Sequence, residues 1–142
     1  LAKYQVPAHL IEIEITEQSL EARGRPYVLR ALEKLKKAGI KIALDDFGTG
    51  HSSLTRLKDY PIDILKIDRS FIEKMHSDSS ILAIVGAIGQ LGQSMKIEIL
   101  AEGIETNEHV ATLRKNQCTT GQGFYFYKPM PIEEVIKLVQ HT

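Results

Sequence analysis

Cysteine is nearly absent: Cys118 is the only one in 142 residues. That excludes an internal disulfide and a cysteine-based zinc cluster, and it suits a reducing compartment. Net charge is absent too, with 18 basic residues against 18 acidic ones. No global field draws this chain to a nucleic acid polymer or to an anionic membrane, and no basic stripe does so locally. The longest apolar runs fall far short of the ~20 residues a membrane-spanning helix needs, so no membrane contact is expected from this segment. No low-complexity tract or Pro/Ser-rich linker divides the chain, and residues 1–142 read as one domain. No signal peptide appears in this sequence, and the first residue is Leu1 rather than Met. The expectation is a cytoplasmic domain cut from a longer protein, whether or not that protein carries a membrane anchor.

What is present is a globular composition, 43% apolar and 25% charged, in a chain long enough to bury a core. Strand and helix periods alternate along it. Residues 9–16 alternate, with Ile11, Ile13 and Ile15 on one face, and predict a strand. Residues 26–40 place Val28, Leu29, Leu32 and Leu35 at helical spacing, opened by Pro26 and closed by Gly39. Strands are expected at 41–46, at 62–68 after Pro61, at 96–103, and at 123–127, where the aromatic run Phe124 to Tyr127 alternates. In that last strand Phe124 and Phe126 are expected to pack inward. Helices are expected at 79–95 despite three glycines, at 107–116 with Asn107 as N-cap, and at 131–140. Five strands with helical crossovers imply an α/β fold with a parallel sheet.

In parallel sheets and barrels, chemistry gathers where the strands end. The first strand ends in Glu14-Ile15-Thr16-Glu17 and the second in Asp45-Asp46. The third ends in Lys66-Ile67-Asp68. The fourth ends in Glu102-Gly103, with Glu105 two residues on, and the fifth follows Gln122-Gly123. Solvent explains any one such carboxylate, because loops are polar. Four successive strands ending this way are harder to dismiss. Two adjacent acids repel, and a cation offsets that cost. Acids converging from neighbouring strands make a hard oxygen site suited to Mg²⁺ or Mn²⁺. Two such ions can bracket a phosphodiester. Lys66, inside an otherwise apolar strand, balances the charge and can hold a phosphate oxygen or the attacking water. The turn that follows, with Gly48, Thr49, Gly50, Ser52 and Ser53, either closes a loop or shapes the site.

The segments "EITE", "DDFGTGHSSL", "LKIDRSFI", "AEGIET" and "QGFYFYKPMP" occur in this order. Together they resemble the C-terminal part of an EAL domain, a family of bacterial phosphodiesterases that linearise cyclic di-GMP to pGpG. The resemblance runs from about Ile11 to Val139. It implies a partial (β/α)8 TIM-like barrel of about five C-terminal β/α units, with the N-terminal strands missing. It implies Glu14, Asp45 and Asp46 as metal ligands, with Gln122 holding the second metal or the substrate. Lys66 would position the water, and Glu102 would act as general base or orient that water. Glu17 would anchor the loop after the acid pair, and Glu105 and Pro129 would line the site wall. Two ions of Mg²⁺ or Mn²⁺, a homodimer coupled through the loop at 47–54, and upstream regulatory or cyclase domains are implied in the same way.

The chain departs from the family pattern in places. His51 replaces an aromatic, Thr119 an Asp and Lys96 a Gly. The Glu-x-Leu strand that names the family and a later Asn-bearing strand, both metal-ligating, are not in this sequence. The piece by itself is therefore expected to be open, prone to pair with another copy, and weakly active or inactive. An alternative is a catalytically degenerate EAL domain that acts as a cyclic di-GMP sensor or an interaction scaffold. Cys118 is expected to be buried, and His76 and His109 to lie in loops or helices without ligand spacing.

Overall fold

The computed structural model describes residues 3, 5–16, 25–48 and 57–140. Of the expected site residues, Glu17, Thr49, Gly50, Ser52 and Ser53 lie outside that set, as does His51. Five strands pair in parallel and in chain order: β1 (Glu12–Thr16), β2 (Lys41–Phe47), β3 (Ile64–Ile67), β4 (Glu98–Ala101) and β5 (Thr120–Gly121). The helices are α1 (Arg25–Lys37), α2 (Arg69–Lys74), α3 (Ser79–Met95), α4 (Asn107–Lys115) and α5 (Ile132–Gln140). Parallel neighbours in chain order with helical crossovers form part of a barrel wall. Strands β1 and β5 are the two edges of the described sheet. Among the described residues no helix is long and apolar enough to cross a membrane.

The two faces of the sheet differ. Ile42, Leu44, Leu65, Ile67, Ile99 and Ala101 join a core with Leu32 of α1, Phe71 and Ile72 of α2, Val85 and Ile88 of α3, and Leu113 of α4. Strand alternation puts Glu14, Ala43, Asp45, Ile64, Lys66 and Leu100 on the other face. That face is polar at both ends. At the amino ends of the strands, Lys41 lies 3.6 Å from Glu98, whose other oxygen accepts from the Thr120 hydroxyl at 2.8 Å. At the carboxyl ends lies the Lys66 cluster.

Several elements differ from the sequence expectation. The fifth strand is Thr120–Gly121, and the aromatic stretch after it is a turn, with the Phe126 and Tyr127 amides donating to the Gly123 carbonyl. Gly123 presses so close to Ile104 that a Cβ would sit 2.1 Å from its carbonyl oxygen. That contact ends the strand and turns the chain. Phe124 and Phe126 are 54% and 45% exposed, so the aromatic alternation did not mark a buried face. Thr106, not Asn107, caps α4, its side chain accepting from the His109 amide. Helix α2, only six residues long, carries no periodicity strong enough to read in the sequence.

The three glycines of α3 have a packing reason. A Cβ at Gly89 would lie 1.9 Å from the Asn116 carbonyl oxygen, and one at Gly92 would lie 2.4 Å from Ile99. The helix can therefore approach β4 and the turn after α4 more closely than any side chain would allow. It ends at Lys96, which adopts the left-handed conformation at φ 58°. Helix α5 places Ile132, Val135, Ile136 and Val139 on one face, and all four are exposed. This is the uncovered surface expected of an open barrel.

Two substitutions test these constraints with opposite signs. Lys96→Gly removes left-handed strain and should stabilise by about 1 kcal/mol. Gly89→Ala forces a helix away from a carbonyl and should destabilise by about 2–3 kcal/mol. Urea unfolding of each variant checks both signs.

Candidate active site

The acid pair sits in a β-bulge. Leu44 pairs with Leu65 and Phe47 with Ile67, so Asp45 and Asp46 together oppose the single residue Lys66. Asp46 absorbs the extra residue in a left-handed conformation, φ 57°, which aspartate tolerates better than most side chains. Its amide donates to Asp45 Oδ1 at 3.0 Å. The bulge brings both carboxylates to the strand end, where regular alternation would send them to opposite faces.

Lys66 is the centre of the site. It is buried, 5% exposed, and is the only charged residue in the core among the described residues. Its ammonium lies 2.7 Å from Glu14 Oε1, 2.7 Å from Glu102 Oε1 and 3.7 Å from Asp45 Oδ1. Burial disfavours its charged form, but hydrogen bonds to Glu102 and Glu14 and the charges of Glu102 and Asp45 outweigh that cost. Its pKa lies above the ordinary lysine value. Lys66 is therefore an ammonium at neutral pH, a donor and not a base.

Gln122 follows β5 directly and completes the cluster, its side-chain amide donating to Glu102 Oε1 at 2.9 Å. Its backbone is fixed as well, with the amide on the Ala101 carbonyl and the carbonyl accepting from Ile104. The sequence reading put Gln122 before the fifth strand; it follows that strand, so its position matches that of the other rim residues. Asp68 belongs to a local unit of its own. Its carboxylate caps α2, accepting from the Ser70 amide at 2.9 Å and from the Ser70 hydroxyl. The Ser70 hydroxyl is the main cause that holds the Asp68 carboxyl below its ordinary pKa. Gly48 turns the chain after β2 at φ 94°.

Beside the cluster opens a cavity of about 570 Å³, lined by Arg69, Glu102, Glu105, Gln122, Tyr127 and Pro129 among others. Glu105 and Pro129 thus stand on a wall of the site. Arg69 lines it too; it lies within the segment "LKIDRSFI", but no role was expected of it. Its guanidinium donates to Glu105 Oε1 at 2.9 Å and to Glu73 Oε1 at 2.5 Å.

The donor set is right for a hard divalent cation: carboxylate oxygens from β1, β2 and the end of β4, with a glutamine after β5. Among the described residues, however, no three such groups stand at spacing to share an ion. The carboxylates converge on the Lys66 ammonium. Cys118 is no rival centre. It is buried, and burial pushes its pKa up to about 11, so it stays a thiol.

Comparison with known proteins agrees with this fold. The family model described as EAL domain matches residues 1–129. The bifunctional diguanylate cyclase/cyclic di-GMP phosphodiesterase MucR of Pseudomonas aeruginosa is 44% identical over 133 residues, which is 94% of this chain and 19% of that protein. A solved structure of the MucR phosphodiesterase in complex with c-di-GMP superposes with a TM-score of 0.87 at 40% identity, covering 95% of this chain and 54% of that one. A manganese/cyclic di-GMP complex of BlrP1 from Klebsiella pneumoniae superposes with a TM-score of 0.79 at 30% identity, over 88% of this chain and 32% of that one. The chain spans between 15% and 19% of the length of the first four curated relatives it matches.

Removing the central ammonium leaves carboxylates facing one another. Lys66→Met should destabilise the chelator-treated protein by about 2 kcal/mol, less than a fully buried pair because Glu14 and Asp45 keep some solvent. Urea titration in EDTA checks it. Asp68→Ala should cost about 1 kcal/mol at pH 7 through the lost cap. Because the folded Asp68 pKa is depressed, its contribution is present above the ordinary value of 3.8 and fades as pH falls through the lower folded value. The gap between variant and wild type should therefore close in acid.

Proposed function

The chain belongs to the EAL domain family, and from that premise we propose that it forms the C-terminal part of a metal-dependent phosphodiesterase domain hydrolysing cyclic di-GMP to linear pGpG. The observation that carries the reading is the convergence of Glu14, Asp45, Lys66, Glu102 and Gln122, from five successive strands, on one rim. The reading includes two ions, Mg²⁺ or Mn²⁺, held by Glu14, Asp45 and Asp46 with Gln122, and a cytoplasmic homodimer as the working form. Bound there, the ions would supply Lewis-acid activation of water and neutralise charge on the phosphodiester.

The side chains of this chain divide the remaining work. Lys66 keeps its proton and donates from Nζ to the attacking water or to a non-bridging phosphate oxygen. Glu102 receives the Lys66 and Gln122 bonds on Oε1, and Oε2 then accepts the proton of the attacking water. The water oxygen forms the new bond to phosphorus, the ester P–O bond breaks, and the proton returns to the leaving alkoxide. The cavity beside the rim suits a nucleobase, with Phe124, Tyr127 and Pro129 offering flat apolar surface.

The test is product analysis with the full-length protein, cyclic di-GMP and Mg²⁺ or Mn²⁺. pGpG should form, and EDTA should stop it. Asp45→Asn should lower kcat by about 100-fold or more. Undiminished pGpG formation by Asp45→Asn would remove this acid from the site. Binding of cyclic di-GMP without cleavage by the wild type would move the protein to the sensor reading.

A further inference from the structure

We propose that Arg69 is a positioning residue that holds Glu105 on the wall of the substrate cavity, so that it governs affinity for the dinucleotide and not the chemical step. This rests on the phosphodiesterase reading. Arg69 is the first residue of α2, separated from β3 by the capping residue Asp68, and a positive charge at a helix amino terminus opposes the helix dipole. The placement is unfavourable for the helix, so the reason for it lies elsewhere. One side of the guanidinium is fixed by Glu73 within α2, and the other reaches Glu105 in the turn after β4. Its aliphatic stem lies directly across Gly103, where a Cβ would sit 2.4 Å from Arg69 Cγ. Gly103 also has φ +73°, so the turn leaving Glu102 has been shaped around this side chain.

Glu105 is held from a second direction. Its amide donates to His109 Nδ1 at 3.3 Å, a bond that requires that nitrogen to be unprotonated. The carboxylate itself is aimed by Arg69. Arg69 and Glu105 are 55% and 42% exposed, so the pair contributes little to stability. Both line the same cavity. A pair that stabilises little, set on a cavity wall and fixed at both ends, orients a carboxylate toward a ligand. Arg is required because a lysine, as a point charge, cannot hold Glu73 and Glu105 in one fixed fork.

The experiment is a double-mutant cycle in the full-length protein, with Arg69→Ala, Glu105→Gln and both together. kcat and KM are read for cyclic di-GMP, and KM for bis(p-nitrophenyl) phosphate, a diester too small to reach the cavity wall. Each single variant should raise KM for the dinucleotide about tenfold with kcat within about threefold, and the double variant should be no worse than either alone. KM for the small diester should not move, and Arg69→Lys should recover only part of the loss. KM effects that multiply to about 100-fold in the double variant overturn the proposal, because the residues then act independently. Equal losses on both substrates, or a fall in kcat alone, also overturn it and leave Arg69 a structural residue. If the wild type binds cyclic di-GMP without cutting it, only the hydrolase reading fails, and the same cycle is read on Kd. If the wild type neither cuts nor binds it, both fail.

Discussion

One buried ammonium organises this site. Lys66 emerges from a four-residue strand that is buried throughout, and a lone charge there would be strongly disfavoured. It persists because carboxylates from β1, β2 and the end of β4 surround it. The requirement runs the other way as well, since those acids need a cation to stand so close together. The bulge in β2 follows from this mutual need. It lets two consecutive acids oppose a single lysine, at the cost of one left-handed aspartate.

Around this centre the site depends on close backbone approach. Gly103 lies under Arg69, and Gly123 lies against the backbone of Ile104. The segment from Glu102 to Glu105 is thereby held on several sides: by the Ile67 carbonyl, the Gln122 carbonyl, His109 and Arg69. A segment fastened at this density can hold two carboxylates at fixed separation, which positioning a substrate requires. On the far side of the sheet the glycines of α3 do the corresponding work for packing, bringing a helix onto β4 without intervening side chains.

The surface that remains apolar is not spread at random. The aromatic turn after Gly123 and the exposed row on α5 lie together in sequence after the last strand. The amphipathic period of α5 shows that its apolar face is shaped for burial. Among the described residues it is open, in keeping with a five-stranded sheet whose edges are β1 and β5. Covering such a face removes apolar area from water, so whatever covers it adds to stability.

The sequence by itself determined the α/β alternation, the parallel sheet, and the residues at the ends of the strands. Period-2 and period-3.6 patterns are local, and the motifs "DDFGTG", "KID" and "AEGIET" follow them directly. The wish to neutralise Asp45 and Asp46 was also legible, because like charges side by side need no structure to be recognised as a cost. The tertiary structure decided what stands against Asp45 within the chain: the ammonium of Lys66, which the parallel register sets beside it and which Glu14 and Glu102 share. It decided that "GFYFY" is a turn, since the backbone of Ile104 blocks extension at Gly123, and nothing local in an alternating aromatic run reports that contact. It decided, finally, that Arg69 faces Glu105, because a pairing across 36 residues depends on how two strands lie side by side and leaves no local periodicity to read.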